Sequence, residues 1–159
     1  MSIDIQFMSA QKPKMSTSRF SFAIILVAFL ITGCATGPKF SEYGTTLKPV
    51  AAGYGRIWIY RPSKMAGAAV QPHVYLNGEK VGKAQPGSYF YVDRPAGNYE
   101  VKCTTEWSDV GKLTLAAGDE KYVRLGLMVG VVVGHIIPKE VTKEVGLREI
   151  AHCKLITAE

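Results

Sequence analysis

The side chains in this sequence that are best suited to covalent chemistry are three cysteines. Cys34 closes a short apolar stretch and directly follows two small residues. Cys103 and Cys153 lie far downstream and remain as an even pair once Cys34 is set aside. A thiol can be modified, can bind a metal or can join a second thiol, so the elements around each cysteine decide its chemistry.

The segment before Cys34 has the layout of an export signal. Residues 20–31 are almost all apolar, and Lys12, Lys14 and Arg19 precede them. A basic region, a short apolar region and small residues at the cut are typical of a secretory signal peptide. The apolar run is also shorter than the roughly 20 residues that a membrane-spanning helix needs. We therefore expect a signal peptide at residues 1–33, with Met15 as an alternative start.

The end of this segment, Ile31-Thr32-Gly33-Cys34, resembles the bacterial lipobox. The resemblance implies that Cys34 receives a diacylglycerol group, is exposed by cleavage and is then acylated, for example with palmitate. The lipid bilayer would then be a partner through acylated Cys34. Ala35 stands where an Asp would retain an enterobacterial lipoprotein in the inner membrane, which implies the outer membrane, facing the periplasm. The alternative is an ordinary signal peptide or uncleaved anchor in which Cys34 is incidental.

Composition limits what the mature chain can do. Residues 34–159 are enough for one domain with a hydrophobic core. Removing the leader takes away three basic residues and one acidic residue, so the formal charge falls from +6 to +4. An exported protein does not meet nucleic acid, and this mild charge excess gives only weak support for affinity to anionic lipid headgroups or wall polymers.

Glycine and proline divide the mature chain into a tether and a domain. Residues 34–54 contain several of both and few apolar residues, which predicts a lipidated N terminus and a flexible tether. From residue 55 to 159, short alternating segments predict strands, and Asn77-Gly78 predicts a type I′ hairpin turn. The expected fold is all-β, a small antiparallel β-sandwich. The predicted strands cover residues 55–61, 73–76, 79–81, 87–92, 99–106, 112–115, 121–125 and 147–156.

Several of these segments resemble one bacterial lipoprotein family. They are residues 55–62 (GRIWIYRP), 74–82 (VYLNGEKVG), 87–89 (GSY), 95–99 (PAGNY) and 117–124 (AGDEKYVR). They are similar to the domain-of-unknown-function 2846 family, over residues 55–156. The PAGNY element also resembles PEGA-type β-sandwich domains. The resemblance implies a fold and an envelope address, and no activity.

Aromatic residues suggest one ligand surface. Trp58, Tyr60, Tyr89 and Tyr91 lie in predicted strands and could form a face that stacks on the sugar rings of peptidoglycan. The alternative, which we favour, is ordinary packing by residues of high β-propensity.

The apolar stretch from residue 125 to 138 suggests assembly. Gly126, Gly130 and Gly134 would form one small-residue face on a helix, through which the protein could self-assemble or contact a membrane. The alternative, which we favour, is a strand pair interrupted by glycine or a flexible hydrophobic loop, with glycine at bends or bulges. The sequence leaves the oligomeric state open.

No catalytic motif or cofactor motif is recognised. The three histidines lack metal-ligand spacing, and we expect no metal and no cofactor. The favoured function is a non-enzymatic envelope lipoprotein that binds an envelope protein or peptidoglycan. An envelope enzyme acting on wall glycan or peptide is the alternative.

A disulfide is the last expectation. Cys103 is in phase with the apolar side of its predicted strand, and Cys153 is in phase with Leu147 and Leu155. Exported proteins fold in an oxidising compartment, so a bond between Cys103 and Cys153 is predicted. The alternative is two separate buried thiols.

Overall fold

Two β-sheets form the body of the protein. The structure is a computed structural model that describes residues 36–104, 109–128 and 134–158. The helical elements are α1 (Phe40–Tyr43), a 3-10 turn (Gly44–Thr46) and α2 (Lys143–Ile150). The strands are β1 (Tyr54–Arg61), β2 (His73–Leu76), β3 (Glu79–Lys83), β4 (Ser88–Pro95), β5 (Gly97–Cys103), β6 (Val110–Leu115), β7 (Glu120–Met128), β8 (His135–Val141) and β9 (Lys154–Leu155).

The strands form a five-stranded sheet A, in the order β8-β7-β1-β4-β9, and a four-stranded sheet B, in the order β3-β2-β5-β6. The predicted all-β sandwich is confirmed, but sheet A is not wholly antiparallel. Strand β1 runs parallel to β7, and β4 runs parallel to β9. The turn before β7 hydrogen-bonds to the start of β1, through Gly118 N to Tyr54 O at 2.8 Å. Strand β7 therefore enters beside the beginning of β1 and continues in the same direction.

The predicted hairpin between β2 and β3 is confirmed. Asn77 and Gly78 have φ angles of 48° and 84°, the positive values that a type I′ turn requires at both central residues.

The main core lies between the sheets. It contains the inward side chains of β1, Ile57 and Ile59, together with Phe90 of β4 and Leu76 and Val101 of sheet B. The predicted alternation in β1 is confirmed on this face, because both isoleucines are fully buried.

A second core covers the other face of sheet A. Trp58, Tyr60, Tyr89 and Tyr122 point to that side and are covered by Phe40, Ile150 and Cys153, so the cluster is buried. The central strand β1 is consequently buried on both faces.

The prediction of a last strand over residues 147–156 is wrong. Residues 143–150 form α2, and only Lys154–Leu155 is a strand. Thr142 caps the helix by accepting a hydrogen bond from Val145 N, and buried Gly146 lets the helix backbone lie against the Tyr122 ring. In the described parts of the chain, no helix is long and apolar enough to span a membrane.

Part of the segment predicted as a tether is folded. Phe40 is 8% exposed, and its ring lies edge-on to Trp58 and Tyr89 at 5.0 and 5.4 Å. Its backbone N–H donates to Cys153 O at 3.0 Å. The apolar ring of Phe40 has a buried site on sheet A, and residues 39–46 are therefore part of the domain.

The predicted disulfide is wrong, because Cys103 and Cys153 are both free and buried. Cys103 lies in the core between the sheets, whereas Cys153 lies in the second core on the other face of sheet A. Cys153 follows α2 rather than occupying a strand of the main core, and its Sγ is 3.7 Å from the backbone oxygen of Arg61. Burial raises the pKa of both thiols to about 12.

Candidate functional site

The aromatic residues predicted as a ligand face are mostly interior. Trp58, Tyr60 and Tyr89 are each at most 1% exposed. The favoured interpretation, ordinary packing, holds for these three rings, because α2 and Phe40 cover this side of the sheet. These three rings cannot stack on a glycan.

Tyr91 is half-buried, and a cation lies over its ring. The guanidinium of Arg56 lies 4.6 Å from the Tyr91 ring centre and 5.5 Å from that of Trp58. Arg56 also holds Asp93 through two hydrogen bonds of 2.7 and 2.8 Å, and this pairing raises the pKa of Arg56. The arrangement stabilises the rim of the second core and leaves little ring surface for a ligand.

The other predicted sites have different outcomes. Cys34 and Gly130 lie outside the described residues. Gly126 lies in β7 and Gly134 directly precedes β8, so these two belong to a strand pair rather than to one helix face.

A groove at the end of β1 is the best candidate site. Strand β1 ends at Arg61, whereas β7 and β8 continue beyond it, and the loop after β1 forms the opposite wall. We call this depression of about 330 Å³ the basic groove. Its lining is Arg61, Pro62, Lys64, Ala66, Arg124, Leu125, Gly126, Leu127, Met128, Ile137 and Lys139. Ligand pockets commonly begin at about this volume.

The floor of the groove is apolar. Gly126 and Ile137 are paired neighbours on β7 and β8, and Met128 continues the same face with 54% of its surface exposed. A Cβ placed on Gly126 would have only the Ile137 carbonyl oxygen near it, at 3.8 Å. The missing side chain of Gly126 therefore helps to form the depression.

Four cations surround that floor. The strand register places Arg124 beside Lys139, and Lys64 faces them from the loop. Within the described residues, Lys64 and Lys139 form no ion pair. Arg124 Nε lies 3.3 Å from Glu149 Oε2, without hydrogen-bond geometry. No carboxylate is among the described residues that line the groove, and Glu149 offsets one of its four cations, so the lining has a net positive charge.

Arg61 fixes the loop wall. It is 4% exposed, and its guanidinium donates to the carbonyl oxygens of Ala84 at 2.7 Å, Gly67 at 2.8 Å and Val70. Burial lowers the pKa of Arg61, but a guanidinium stays protonated in proteins. Its charge is met by carbonyl dipoles rather than by a carboxylate, so it adds to the positive potential of the groove.

Glu149 of α2 positions Arg124. Tyr60 donates a hydrogen bond of 2.8 Å to Glu149 Oε2, the same oxygen that lies near Arg124. Burial, then this hydrogen bond, raises the pKa of Tyr60 well above its ordinary value. The helix thus connects the second core to the wall of the groove.

This lining suits binding better than catalysis. Among the residues that the structure describes, the lining has no carboxylate, histidine, cysteine or hydroxyl side chain. The nearby thiol of Cys153 is buried and has a pKa of about 12, so it is protonated near neutral pH. In the described parts of the chain, no group of three or more His, Cys, Asp or Glu residues could hold a metal ion. Cations around an apolar floor fit an anionic group attached to an apolar body.

Sequence reasoning missed the groove because its residues come from three separated segments. The signal in the sequence was local. Arg124 lies two residues before Gly126, and Lys139 lies two residues after Ile137, so each cation shares a strand face with a small or apolar residue. Only the β7–β8 register and the end of β1 show that these positions enclose one space.

Comparisons with known proteins identify a family and add no activity. A family model described as "Protein of unknown function (DUF2846)" matches residues 51–135. An "Uncharacterized protein" of Haemophilus influenzae (strain ATCC 51907 / DSM 11121 / KW20 / Rd) is 29% identical over 134 residues, covering 81% of this chain and 79% of the relative. No solved structure matches the chain.

Proposed function

The chain belongs to the DUF2846 family of proteins of unknown function, and we propose that it is a non-enzymatic cell-envelope lipoprotein that binds an anionic ligand in the basic groove. The membrane anchor is acylated Cys34, and the sandwich is the binding module.

The proposed location in the cell envelope is supported by residues 1–35. A basic region, an apolar run and the Ile31-Thr32-Gly33-Cys34 sequence together match a lipoprotein signal. Ala35 favours the outer membrane, with the domain in the periplasm. In a host with two membranes, density-gradient fractionation should place the protein with outer-membrane markers, and recovery with the inner membrane would contradict this sorting.

The binding role is carried by one observation: four cations and an apolar floor share a groove whose lining has no carboxylate. Exposure of the apolar floor to water is unfavourable in free energy, and the unpaired lysines at its rim attract an anion. The ligand class that fits both features has a carboxylate, sulfonate or phosphate attached to an apolar body.

The anchor is tested by metabolic labelling with a fatty-acid analogue. Wild type should take up label, whereas Cys34→Ala should take up none and accumulate as precursor, because the acylated thiol is missing. A Cys103→Ala variant is the matched control and should label like wild type. Equal label on Cys34→Ala would reject the anchor.

The groove is tested with 8-anilinonaphthalene-1-sulfonate, a fluorescent probe that joins a sulfonate to an apolar ring system. Dodecyl phosphate should displace it, whereas dodecanol and inorganic phosphate should displace it poorly. Gly126→Val should weaken binding by about tenfold, roughly 1.4 kcal/mol, because the floor has room for a Cβ at residue 126 and the new side chain would occupy the space of the ligand.

Two lysine variants complete the test. Lys139→Gln should weaken binding and reduce its dependence on salt, since one rim charge is lost. Lys112→Gln, on exposed β6 of sheet B, is the matched control and should bind like wild type. Equal affinity in Gly126→Val, Lys139→Gln and wild type would rule out the groove as the binding site.

A further inference from the structure

The edge of sheet A at β9 carries the chain that leads back to Cys34. We propose that this edge lies directly on the membrane surface, held there by a linker too short to let the domain leave. The inference rests on the lipid anchor proposed above, and it adds the orientation of the domain and a second contact with the bilayer.

The N-terminal chain is joined to β9 by backbone hydrogen bonds. Leu155 N donates to Pro38 O at 2.8 Å, Phe40 N donates to Cys153 O at 3.0 Å, and Lys39 forms an antiparallel bridge with Lys154. A Cβ added at Gly37 would clash with the carbonyl of Leu155, so only glycine allows this approach. The chain is therefore tied to the outer edge of sheet A from Gly37 onward.

Phe40 prevents the segment from peeling away. Phe40 directly follows Lys39, the residue that is bridged to Lys154. Its ring is buried in the second core against Trp58 and Tyr89. Detaching residues 37–39 would strain this anchored ring or remove it from the core.

The remaining linker is very short. Four residue steps separate Cys34 from Pro38, and a fully extended chain spans at most about 14 Å over that length. The headgroup layer of one leaflet occupies roughly 5–8 Å of it, since a bilayer of 40–45 Å has a hydrocarbon core of about 30 Å. The gap that remains is narrower than one α-helix, about 10–12 Å, so no other element fits between the β9 edge and the headgroups.

The chemistry of the edge suits a phospholipid surface with anionic lipid. Lys39 and Lys154 are exposed neighbours, and neither forms an ion pair among the described residues. Beside them, Leu155 and Ile156 are only half-buried and line a shallow depression with Tyr91. Cations next to half-buried apolar side chains are the pattern of a membrane-interface contact.

The orientation also places the basic groove. Strands β7 and β8 lie three and four positions from β9 in sheet A, which is roughly 14–19 Å at the usual strand spacing. The groove is thus held off the bilayer, and its ligand arrives from the aqueous side.

The test uses the full lipidated protein in vesicles of phosphatidylcholine and phosphatidylglycerol. A spin label is placed at Thr157→Cys, on the β9 edge, or at Lys112→Cys, on β6 of sheet B. The native thiols at Cys103 and Cys153 are buried and do not compete for label. Collision rates with a water-soluble nickel chelate and with lipid-soluble oxygen report where each label lies.

We expect Thr157→Cys to lose nickel access severalfold and gain oxygen access on vesicles, while Lys112→Cys keeps its nickel access. Inserting 20 Gly and Ser residues between Ala35 and Thr36 gives a linker of about 25 Å and should restore nickel access at Thr157→Cys.

Three results would overturn the proposal. Equal nickel access at the two sites in lipidated protein removes the membrane contact while leaving the anchor intact. Protection at Thr157→Cys that persists with the long linker rejects the short linker as the cause of the contact. Protection that appears equally in concentrated detergent solution, where there is no bilayer, assigns the edge to a second copy. Mass spectrometry of the N-terminal peptide separates these cases from loss of the anchor, because an unacylated Cys34 removes both proposals together.

Discussion

Phe40→Ala tests whether the segment before β1 is part of the domain. The ring is 8% exposed and lies edge-on to two aromatic rings, so almost all of its surface is lost from the core on truncation. At about 25 cal/mol per Å² and roughly 150 Å² of aromatic surface, the transfer term is near 4 kcal/mol. Because the terminal segment can detach and relax, the loss of unfolding free energy should be about 3 kcal/mol, at the low end for Phe→Ala in cores.

Urea unfolding of the mature chain, followed by far-ultraviolet circular dichroism, measures this loss. Tyr43→Ala is the matched control, since Tyr43 is in the same helix but is 36% exposed, and it should cost well under half as much. Phe40→Ala should also raise the exposure of Trp58 to a fluorescence quencher. A change in unfolding free energy below about 0.5 kcal/mol, the range of ordinary surface substitutions, would refute the packed segment and restore a free tether.

Three further predictions concern the second core and the thiols. Gly146→Ala should lower the unfolding free energy by about 1–3 kcal/mol, because the new Cβ would lie 2.4–2.6 Å from Tyr122 atoms. Leu147→Ala is the control, since Leu147 is exposed. A Gly146→Ala variant more stable than wild type would contradict the close contact. Alkylation without reductant should modify Cys103 and Cys153 only after denaturation, and a disulfide-linked peptide pair in the mass spectrum would contradict two free thiols. The unfolding free energy should fall between about pH 9 and 12, because the unfolded thiols lose protons from about pH 9 whereas burial holds the folded pKa values at about 12. Replacing Cys103 by Val should make that fall shallower, and an unchanged slope would show that its thiol titrates alike in both states.

Local patterns predicted strands β1 to β7 and the hairpin, but β8 was not among the predicted strands. The alternation of β1 depends only on residues next to each other, and Asn77-Gly78 requires a turn whatever surrounds it. The C-terminal prediction failed because a strand was assigned to residues 147–156 from apolar spacing. The cap at Thr142, with Glu144 in the first turn and Arg148 in the last, was the helix signal.

Long-range packing decided what the aromatic residues and thiols do. Alternation correctly separated the two faces of β1, but it could not reveal that Phe40 and α2 cover Trp58 and Tyr60. The same covering helix carries the chain to Cys153 on the far side of sheet A from Cys103, which removes the disulfide.

The sequence by itself determined the export and lipobox pattern, the β-rich domain and its family, because each depends on residues that are contiguous in the chain. Only the tertiary structure decided which surfaces are open. The basic groove exists because β1 stops at Arg61 while the β7–β8 register brings Arg124 to Lys139. The N-terminal segment is docked because Pro38 and Phe40 meet a strand more than 100 residues later. Which distant segments contact one another depends on how the apolar faces of sheets and helices pack together, and no local pattern of residues specifies that packing.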